Sequence, residues 1–551
     1  MRGVLCCAIL ALLAACGREQ KAELVLKKAK IWTVNPHQPE AAALAVQNGK
    51  IVAIGSDAEM DTWIGSSTRV IDAAGRRVLS GFCDAHTHFL SGGQTLLSLD
   101  LRDCKNEKEF LERLHAYAAK LPPGRWITGG NWDHERTFAG VLPTRQMIDQ
   151  ATPNHPVAIN RTDGHMLLAN SLALQLAKIT ADTPSPAGGV MMKDPSTGEP
   201  TGIFKDAAMS LIYEVIPPPT PEELDEALAA AMRHAAQLGV TSIHDMLSWD
   251  HWSAYERAQR QGKLTVRVRA YFPISTWETV AALRDSFQPD DWLRLGGLKG
   301  FVDGSLGSST ALMFAPFTDD PANYGTYVSD WFPEGTMKQR VKAADAAGLQ
   351  IAVHAIGDRA NAEMLDIYEQ VIRENGTKDR RFRIEHAQHL RPEEIFRFKT
   401  LGVIPSMQPY HCIDDGRWAE KRLGAERSKT TYAFRSLLDA GATLAFGSDW
   451  DVAPLDPLQG IYAAVTRRTL EGGHPQGWVP EQKISVEEAV RCYTINNAYA
   501  EFAENEKGSL EIGKWADFVI LSKDIFTITP TEIPAIKVEM TVVGGRVVWQ
   551  K

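Results

Sequence analysis

Apolar, strand-like segments recur through the middle of this 551-residue chain, and helical segments separate most of them. The clearest helix begins at a TPEE capping box that starts at Thr220, runs to Gly239 and leads into the strand VTSIHD. Further strands follow in TVRVRAYF, LGGLKGFVDG, LQIAVHAIGD, RFRIEHAQ, GVIPSMQP and ATLAFGSDW. Together with the earlier segment GFCDAHTH they make eight, which predicts an α/β fold with a (β/α)8 TIM barrel over residues 80–500.

Both ends of the chain have a different pattern, with short β-branched strands joined by glycine turns. The first end contains AELVLKKAKIWTVNP and AALAVQNGKIVAIG, and the last contains GSLEIGKWADFVILSKD and KVEMTVVGGRVVWQK. We predict that residues 16–79 and 501–551 pair into one small β-sandwich module beside the barrel. Two separate β additions are the alternative.

The connection between the first and second barrel strands is oversized and forms an insertion over residues 89–219. It holds GRWITGGNWDHERT, HPVAINRTDGHMLLANSLAL and GEPTGIF, which are typical of short strands and tight turns. A long loop that leaves a barrel at the carboxyl ends of its strands commonly shapes the substrate site. We therefore predict Trp132 and His165 as substrate-binding residues, with a structural role in an inert insert as the alternative.

The start of the chain carries a targeting pattern, because Arg2 precedes an uninterrupted apolar run from Val4 to Ala15. This run is shorter than the roughly 20 residues that span a bilayer and is typical of a secretory signal. The motif LAAC, which ends at Cys16, resembles a bacterial lipobox. We expect a lipoprotein signal peptide over residues 1–15, export, and a lipid anchor on Cys16 that holds the protein on a membrane facing the periplasm. An ordinary signal peptide cleaved after Ala-x-Ala is the alternative.

Composition and charge narrow the class of protein further. Residues are 44% hydrophobic and 23% charged, which suits a large globular core, and the formal net charge is -9 without a basic run. An acidic surface argues against nucleic acid as a partner and fits an enzyme that acts on small molecules. Seven cysteines with scattered spacing predict no disulfide pairing, and nothing in the sequence indicates an oligomeric state.

The segment GFCDAHTH carries two histidines separated by one residue. Side chains alternate between the two faces of a strand, so Asp84, His86 and His88 point the same way. Two neighbouring imidazoles are half of a metal site, although a polar strand face with solvated histidines is the alternative.

Other candidate ligands stand at the carboxyl ends of later barrel strands, where barrel enzymes place their chemistry. The fourth strand carries Lys299, the fifth ends with His354, the sixth with His386 and the eighth with Asp449. Each residue alone is weak evidence, because a strand histidine is commonly structural and an aspartate often caps a helix. Together with His86 and His88 they form a ligand set for two metal ions.

This ordered set resembles the amidohydrolase superfamily, and within it the large branch that includes N-substituted formamide deformylases. The resemblance covers nearly the whole chain after the signal, through GFCDAHTH, LKGFVDGSLGSSTA, AVHAIGDRA, RIEHAQ, FGSDW and GSLEIGKWADFVIL. It implies one metal bound by His86, His88 and Asp449, and a second metal bound by His354 and His386.

The resemblance also implies that Lys299, carboxylated by carbon dioxide to a carbamate, bridges the two metals. The expected cofactor is zinc or a similar divalent ion. Some members of the superfamily use a single metal, so the expectation is one or two ions per chain. The alternative for Lys299 is an ion pair with Asp303 at the same strand end.

These residues predict a hydrolase of carbon-nitrogen bonds in amides or N-acyl and N-formyl groups. Metal-bound hydroxide would attack the carbonyl, and Asp449 would take the proton of the water and pass it to the leaving nitrogen. His411 is a further candidate for substrate contacts, with a structural role equally open. The competing interpretations are a deaminase of a heterocycle on the same scaffold and a lipoprotein that binds a metal or ligand without turnover.

Overall fold

The structure is a computed structural model that describes residues 21–162, 165–186 and 189–551. Within it the chain forms two compact units. The barrel unit contains the described residues up to His88, together with Met232–Trp249 and Gln259–Lys551. The insertion unit contains Phe89–Ala231 and Asp250–Ala258.

Eight parallel strands of the barrel unit pair in chain order. They are β1 Phe82–Thr87, β2 Val240–Met246, β3 Arg267–Pro273, β4 Leu293–Phe301, β5 Gln350–Ala355, β6 Arg383–His386, β7 Ile404–Met407 and β8 Ala445–Phe446. Backbone hydrogen bonds between the end of β1 and the segment that follows β8 bring the first and last strands together. The predicted (β/α)8 barrel is confirmed, and each strand overlaps the segment from which it was predicted.

Helices separate the strands, as the sequence pattern predicts. They are Pro221–Gln237 before β2, Trp249–Arg260, Trp277–Ser286, Thr336–Ala346, Asp358–Asn375, Pro392–Leu401, then Pro409–Asp415, Ala419–Ser428 and Phe434–Asp439 before β8, and Pro457–Thr466, Val486–Cys492 and Ile495–Ala500 after it. The predicted capping box is present, since the backbone N–H of Glu223 donates to the Thr220 hydroxyl and the backbone N–H of Thr220 donates to the Glu223 carboxylate.

The two ends of the chain share a β-sandwich, as predicted. One sheet contains Leu24–Lys27, Ala43–Gln47, Lys50–Gly55 and Arg69–Asp72. The other contains Lys30–Trp32, Glu40–Ala41, Arg77–Ser80, Phe518–Leu521, Val538–Val543 and Arg546–Gln550. Phe518–Leu521 pairs antiparallel with Arg77–Ser80, and the two sheets bury one common apolar core.

The insertion unit is built on one six-stranded sheet. Its strands are Leu99–Asp100, Gly129–Trp132, Ala158–Arg161, Met166–Ala169, Gly189–Lys193 and Pro200–Asp206. Its helices, apart from those given with the barrel, are Phe89–Leu97, Glu107–Ala118, His134–Thr137, Arg145–Asp149, Ser171–Leu176 and Ser210–Tyr213. The unit starts at Phe89, where the sequence predicts the insertion to start, and continues past the predicted end at residue 219.

Across the described ranges, no helix has both the length and the apolar character needed to cross a membrane. Cys16 and the predicted signal peptide lie outside the described residues. Cys83, Cys104, Cys412 and Cys492 are buried and free.

Candidate metal centre

The candidate site lies where the first and last barrel strands meet. The backbone N–H of Asp449 donates to the carbonyl oxygen of His86 at 2.7 Å. The buried carboxylate of Asp84 accepts hydrogen bonds from the backbone N–H groups of His86 and Ser448. These bonds fix the segment GSDW beside the pair of histidines.

The predicted ligand set comes together at this end of the barrel. Asp449 Oδ1 lies 3.6 Å from His86 Nε2 and 3.4 Å from His88 Nε2. Lys299 Nζ lies 3.1 Å from His86 Nε2. The ring centroid of His386 lies 4.9 Å from that of His86 and 4.5 Å from that of His354. All six predicted side chains therefore share one small volume.

The nitrogens that face away from this volume have defined partners. His88 Nδ1 lies 3.1 Å from the carbonyl oxygen of Met246, and His386 Nδ1 lies 2.8 Å from the side-chain oxygen of Gln408. His354 differs because its Nε2, rather than Nδ1, lies 3.0 Å from the carbonyl oxygen of Gly304. His86 Nδ1 contacts the carboxylate of Glu385. Such partners fix the tautomer and the rotation of an imidazole ring.

Two of the candidate ligands have left-handed backbone conformations, with φ of 73° at His386 and 61° at Asp449. A non-glycine residue in this region costs on the order of 1–3 kcal/mol and occurs both in turns and at functional sites. At His386 the conformation has a visible effect, because it breaks the alternation of β6. Glu385 and His386 are neighbours in sequence, yet both lie beside the His86 ring.

Burial dominates the electrostatics of the histidines. It lowers the pKa of His86 to about 4, the pKa of His354 to about 3, and the pKa of His386 well below its ordinary value. A neutral imidazole is the form that binds a metal. These three rings are therefore ready to act as ligands at neutral pH.

The Asp449 carboxylate, in contrast to the histidines, must be charged to bind a metal. Burial raises the pKa of Asp449, but the contact with His88 and the electrostatic interaction with the other neighbouring histidines outweigh burial and hold this pKa well below its usual range. Asp449 is thus ionised at neutral pH. Its Oδ1 is fully buried and has no hydrogen-bond partner among the described residues. A buried carboxylate oxygen without a donor is costly unless a cation is bound beside it.

The arrangement fits a divalent metal. His86, His88 and Asp449 each place a ligand atom within 4.8 Å of the others, and so do His386, His411 and Asp449. Imidazole nitrogen and carboxylate oxygen together suit zinc. The second group contains His411 where the sequence predicts His354. The structure thus places His411 beside Asp449, with 4.0 Å between Nε2 and Oδ2.

Lys299 lies on β4 and is 4% exposed. Its alternative role, an ion pair with Asp303, is not what the structure shows, because Asp303 accepts hydrogen bonds from the backbone N–H groups of Leu312, Ile356 and Gly357. The Lys299 amine lies 4.6 Å from the centre of the Phe301 ring, and burial lowers its pKa to about 8.

A cavity of about 380 Å³ opens onto these groups within the barrel unit. The metal-binding candidates line this cavity together with apolar residues and with the polar residues Ser305, Gln388, Asp414 and Asp415. Its apolar lining residues are Phe301, Leu306, Ile356, Trp418 and Val452. The volume suits a small molecule.

Two residues predicted to bind substrate belong to the insertion unit. Trp132 is fully buried there, and its indole N–H donates to the carbonyl oxygen of Ile159 at 2.9 Å. This position makes Trp132 a core residue of the unit and lends no support to substrate binding. The His165 side chain is 75% exposed and lies 2.9 Å from the Asp206 carboxylate. Its predicted role stays a prediction.

Glu385 and Gln408 have clear roles in the site, but sequence reasoning did not identify them. The signal that was available is the spacing in RIEH, where Arg383 and Glu385 lie on one face of a strand. A polar pair facing the interior of a barrel needs a partner there. His389 lies nearby in sequence, but it is fully buried and its Nδ1 contacts the Thr431 hydroxyl.

An eight-stranded barrel with histidines, a lysine and an aspartate at one mouth defines a metal-dependent hydrolase. Comparison with known proteins agrees, since residues 69–549 match the model of the family described as "Amidohydrolase family". The chain belongs to that family.

Individual proteins match over almost the full chain. The protein named LONG AFTER FAR-RED 3 from Arabidopsis thaliana is 41% identical, over 95% of this chain and 91% of its own length. The N-substituted formamide deformylase of Arthrobacter pascens is 28% identical, over 96% of this chain and 98% of its own length. The crystal structure of an uncharacterized metal-dependent hydrolase from Pyrococcus furiosus superposes with a TM-score of 0.77 and 30% identity, covering 92% of this chain and all of that one.

Proposed function

We propose that this protein hydrolyses the carbon-nitrogen bond of a small amide, either an N-acyl or an N-formyl compound, with zinc as its metal. The observation that carries the proposal is the position of Asp449. Its buried, unpartnered Oδ1 faces His86 and His88, and Asp449 lines a cavity large enough for a small molecule. The similarity to a protein named as an N-substituted formamide deformylase supports the choice of bond.

His86, His88 and Asp449 would hold one zinc ion, and His386 with His354 or His411 would contribute to a second. When bound, zinc lowers the pKa of water from 15.7 towards about 7 and polarises a carbonyl oxygen. Asp449 is the general base and then the general acid, because it is ionised at neutral pH and lies at the reacting end of the cavity. It accepts the proton of the attacking water and delivers it to the leaving nitrogen.

His411 lies beside Asp449 and can assist the reaction by binding the substrate. Its ring lies parallel to that of His386 at 6.4 Å, and its Nε2 is buried without a hydrogen-bond partner among the described residues. A donor in this position can bind the carbonyl oxygen of the substrate as negative charge develops there. His411 therefore remains our candidate for substrate contact from the barrel unit.

The proposal includes a carbamate on Lys299. A buried ammonium group would repel a metal bound next to His86, whereas carboxylation of the amine turns this repulsion into a ligand. The short distance between Lys299 Nζ and His86 Nε2 supports this arrangement. Whether the chain binds one metal or two depends on whether Lys299 is carboxylated.

The function is tested by assaying the zinc-loaded protein against N-formyl, N-acyl-amino-acid, dipeptide and cyclic amide libraries, with ammonia release followed in parallel. We expect amine and carboxylic acid as products from one amide class. Ammonia from a heterocycle would replace the proposal with the deaminase. Full zinc occupancy without turnover across these libraries would favour the binding lipoprotein.

Membrane anchoring through Cys16 is part of the proposal and rests on the sequence pattern alone. Two or more acyl chains anchor a protein stably, whereas a single chain does not. Replacing Cys16 with serine should therefore release the protein from the membrane fraction. A Cys16→Ser protein that fractionates with membranes as the parent does would remove the anchor from the account.

A further inference from the structure

A buried carboxylate stands directly behind one of the candidate zinc ligands. Glu385 Oε2 lies 2.5 Å from His86 Nδ1, and both side chains are completely inaccessible to solvent. Because an ionised carboxylate only accepts hydrogen bonds, Nδ1 carries the proton and Nε2 is left with its lone pair. Nε2 is the nitrogen that faces Lys299 and Asp449. The contact therefore selects the tautomer that can bind zinc from this side.

Glu385 is itself held in place by Arg383, two residues earlier on β6. The Arg383 Nε–H donates to Glu385 Oε1 at 2.7 Å. Burial raises the pKa of Glu385, but the charge of Arg383 and the contact with His86 outweigh burial and hold this pKa well below its usual range. The ion pair with Arg383 thus holds the Glu385 carboxylate against the His86 ring.

Arg383 cannot move without breaking several further bonds. Its guanidinium donates to the Tyr271 hydroxyl, the carbonyl oxygen of Ala85 and the Ser406 hydroxyl, and it contacts His244 Nδ1. These partners come from four other strands of the barrel. The position of Glu385 is thus fixed by the barrel wall rather than by a flexible loop.

The other histidines have weaker acceptors behind them. His88 and His386 contact the neutral oxygens of a backbone carbonyl and a side-chain amide. A hydrogen bond to a charged acceptor is roughly twice as strong as one between neutral groups. His86 should accordingly be the most firmly oriented ring of the set.

We propose that Glu385, fixed by Arg383, is a positioning residue that orients His86 and determines how tightly the site binds zinc. The inference rests on the metal site of the proposed function, but it does not depend on which bond is hydrolysed. Loss of a partner behind a zinc-binding histidine typically weakens metal affinity by about 10- to 100-fold.

The test measures the zinc affinity of the full-length protein by competition with a chromophoric chelator. Glu385→Gln removes the charge, and Glu385→Asp keeps the charge beside Arg383 while withdrawing it from His86. Both variants should bind zinc about 10- to 100-fold more weakly than the parent. The absorption spectrum of the cobalt-substituted protein should change as well, since the ligand geometry changes.

Glu394→Gln is the matched control. Glu394 is a buried glutamate that is paired with Arg391 and Arg397 on the helix after β6. The control loses a buried, ion-paired carboxylate but should keep the zinc affinity of the parent. Equal loss of affinity in Glu394→Gln would show general destabilisation instead of positioning and would overturn the proposal.

Zinc affinity within about two-fold of the parent in the Glu385 variants would also overturn it. Should both variants fail to fold, the crystal structure of the zinc-loaded parent decides. There we expect zinc on His86 Nε2 with Glu385 on Nδ1, whereas zinc on Nδ1 or on Glu385 itself contradicts the proposal. A parent that binds no zinc would instead remove the metal site, and with it the proposed function.

Discussion

Two clusters in the same barrel contain residue types that bind metals, and the groups around them differ. The mouth cluster is His86, His88 and Asp449, and the inner cluster is Cys83, His244 and Glu501. In both, the ligand atoms lie within 4.8 Å of one another. Residue identity and distance therefore do not separate them.

Neighbouring charge does separate them. In the inner cluster, Glu501 forms ion pairs with Arg269 and Lys507, so its negative charge is already compensated. Burial raises the pKa of the Cys83 thiol to about 12, which keeps it protonated. In the mouth cluster, the ion-pair partners of Asp449 among the described residues are the histidines His86, His88 and His411, without a lysine or an arginine. A carboxylate that is already paired with lysine and arginine stabilises the fold, whereas one surrounded by imidazoles is suited to bind a cation.

The largest effect should come from Asp449→Asn. Asparagine keeps the shape and one oxygen for the metal but cannot accept a proton at useful pH, so kcat should fall by about 10² to 10⁴ or more, with a smaller change in KM. Fold and much of the metal should remain. Metal content, thermal stability and kcat are measured on one preparation, with the exposed neighbour Asp451→Asn as control. Near-native kcat at full metal occupancy would exclude Asp449 from the mechanism.

Lys299→Ala should lose both metal and activity, because the carbamate that we propose as a metal ligand could no longer form. A short carboxylic acid added to the variant should restore part of the activity by standing in for the carbamate. The parent should contain a carboxylated lysine and roughly two metals per chain. Lys429→Ala, at an exposed lysine, is the control. A fully metallated and active Lys299→Ala protein would show that no bridge is needed.

Acidification should destabilise the metal-free protein, and His244 of the inner cluster is one of the buried histidines that contribute. Burial lowers the pKa of His244 to about 4, against 6.5 in the unfolded chain. Between these values the unfolded state binds more protons, so the free energy of unfolding falls as pH falls. At about 1.4 kcal/mol per pKa unit, His244 alone should cost on the order of 2 kcal/mol at pH 5 relative to pH 7. Urea unfolding at both pH values tests this, and equal stability would contradict it.

The smallest effect should come from Cys83→Ala in the inner cluster. A protonated thiol is a poor metal ligand, so the zinc content and zinc affinity of the protein should not change. Loss of one buried sulfur should lower the free energy of unfolding by about 1 kcal/mol. Elemental analysis together with thermal unfolding checks both expectations. Loss of zinc from Cys83→Ala would mean that the two clusters have been assigned the wrong way round.

Much of the fold could be predicted because the barrel strands are apolar, β-branched and separated by helices. The convergence of His86, His88, Lys299, His386 and Asp449 followed from one rule, that carboxyl ends of barrel strands meet at the same mouth. Neither inference needed the details of side-chain packing.

The remaining features of the site could not be predicted, because they depend on local backbone geometry and burial, which the sequence pattern does not show. Strand alternation places Glu385 and His386 on opposite faces, but the left-handed φ of His386 brings both to His86. Trp132 resembled a pocket residue by its aromatic character, yet it packs the core of the insertion unit. A residue type indicates what a side chain can do, and its surroundings decide whether it does so.

The most direct test of the account is anomalous diffraction at the zinc edge from crystals of the zinc-loaded protein. We predict a strong peak bounded by His86, His88 and Asp449, with any second peak beside His386. The inner cluster of Cys83, His244 and Glu501 should show no peak. Zinc in the inner cluster, or no ordered zinc at the mouth, would contradict the central claim that this barrel is a zinc-dependent hydrolase with its chemistry at Asp449.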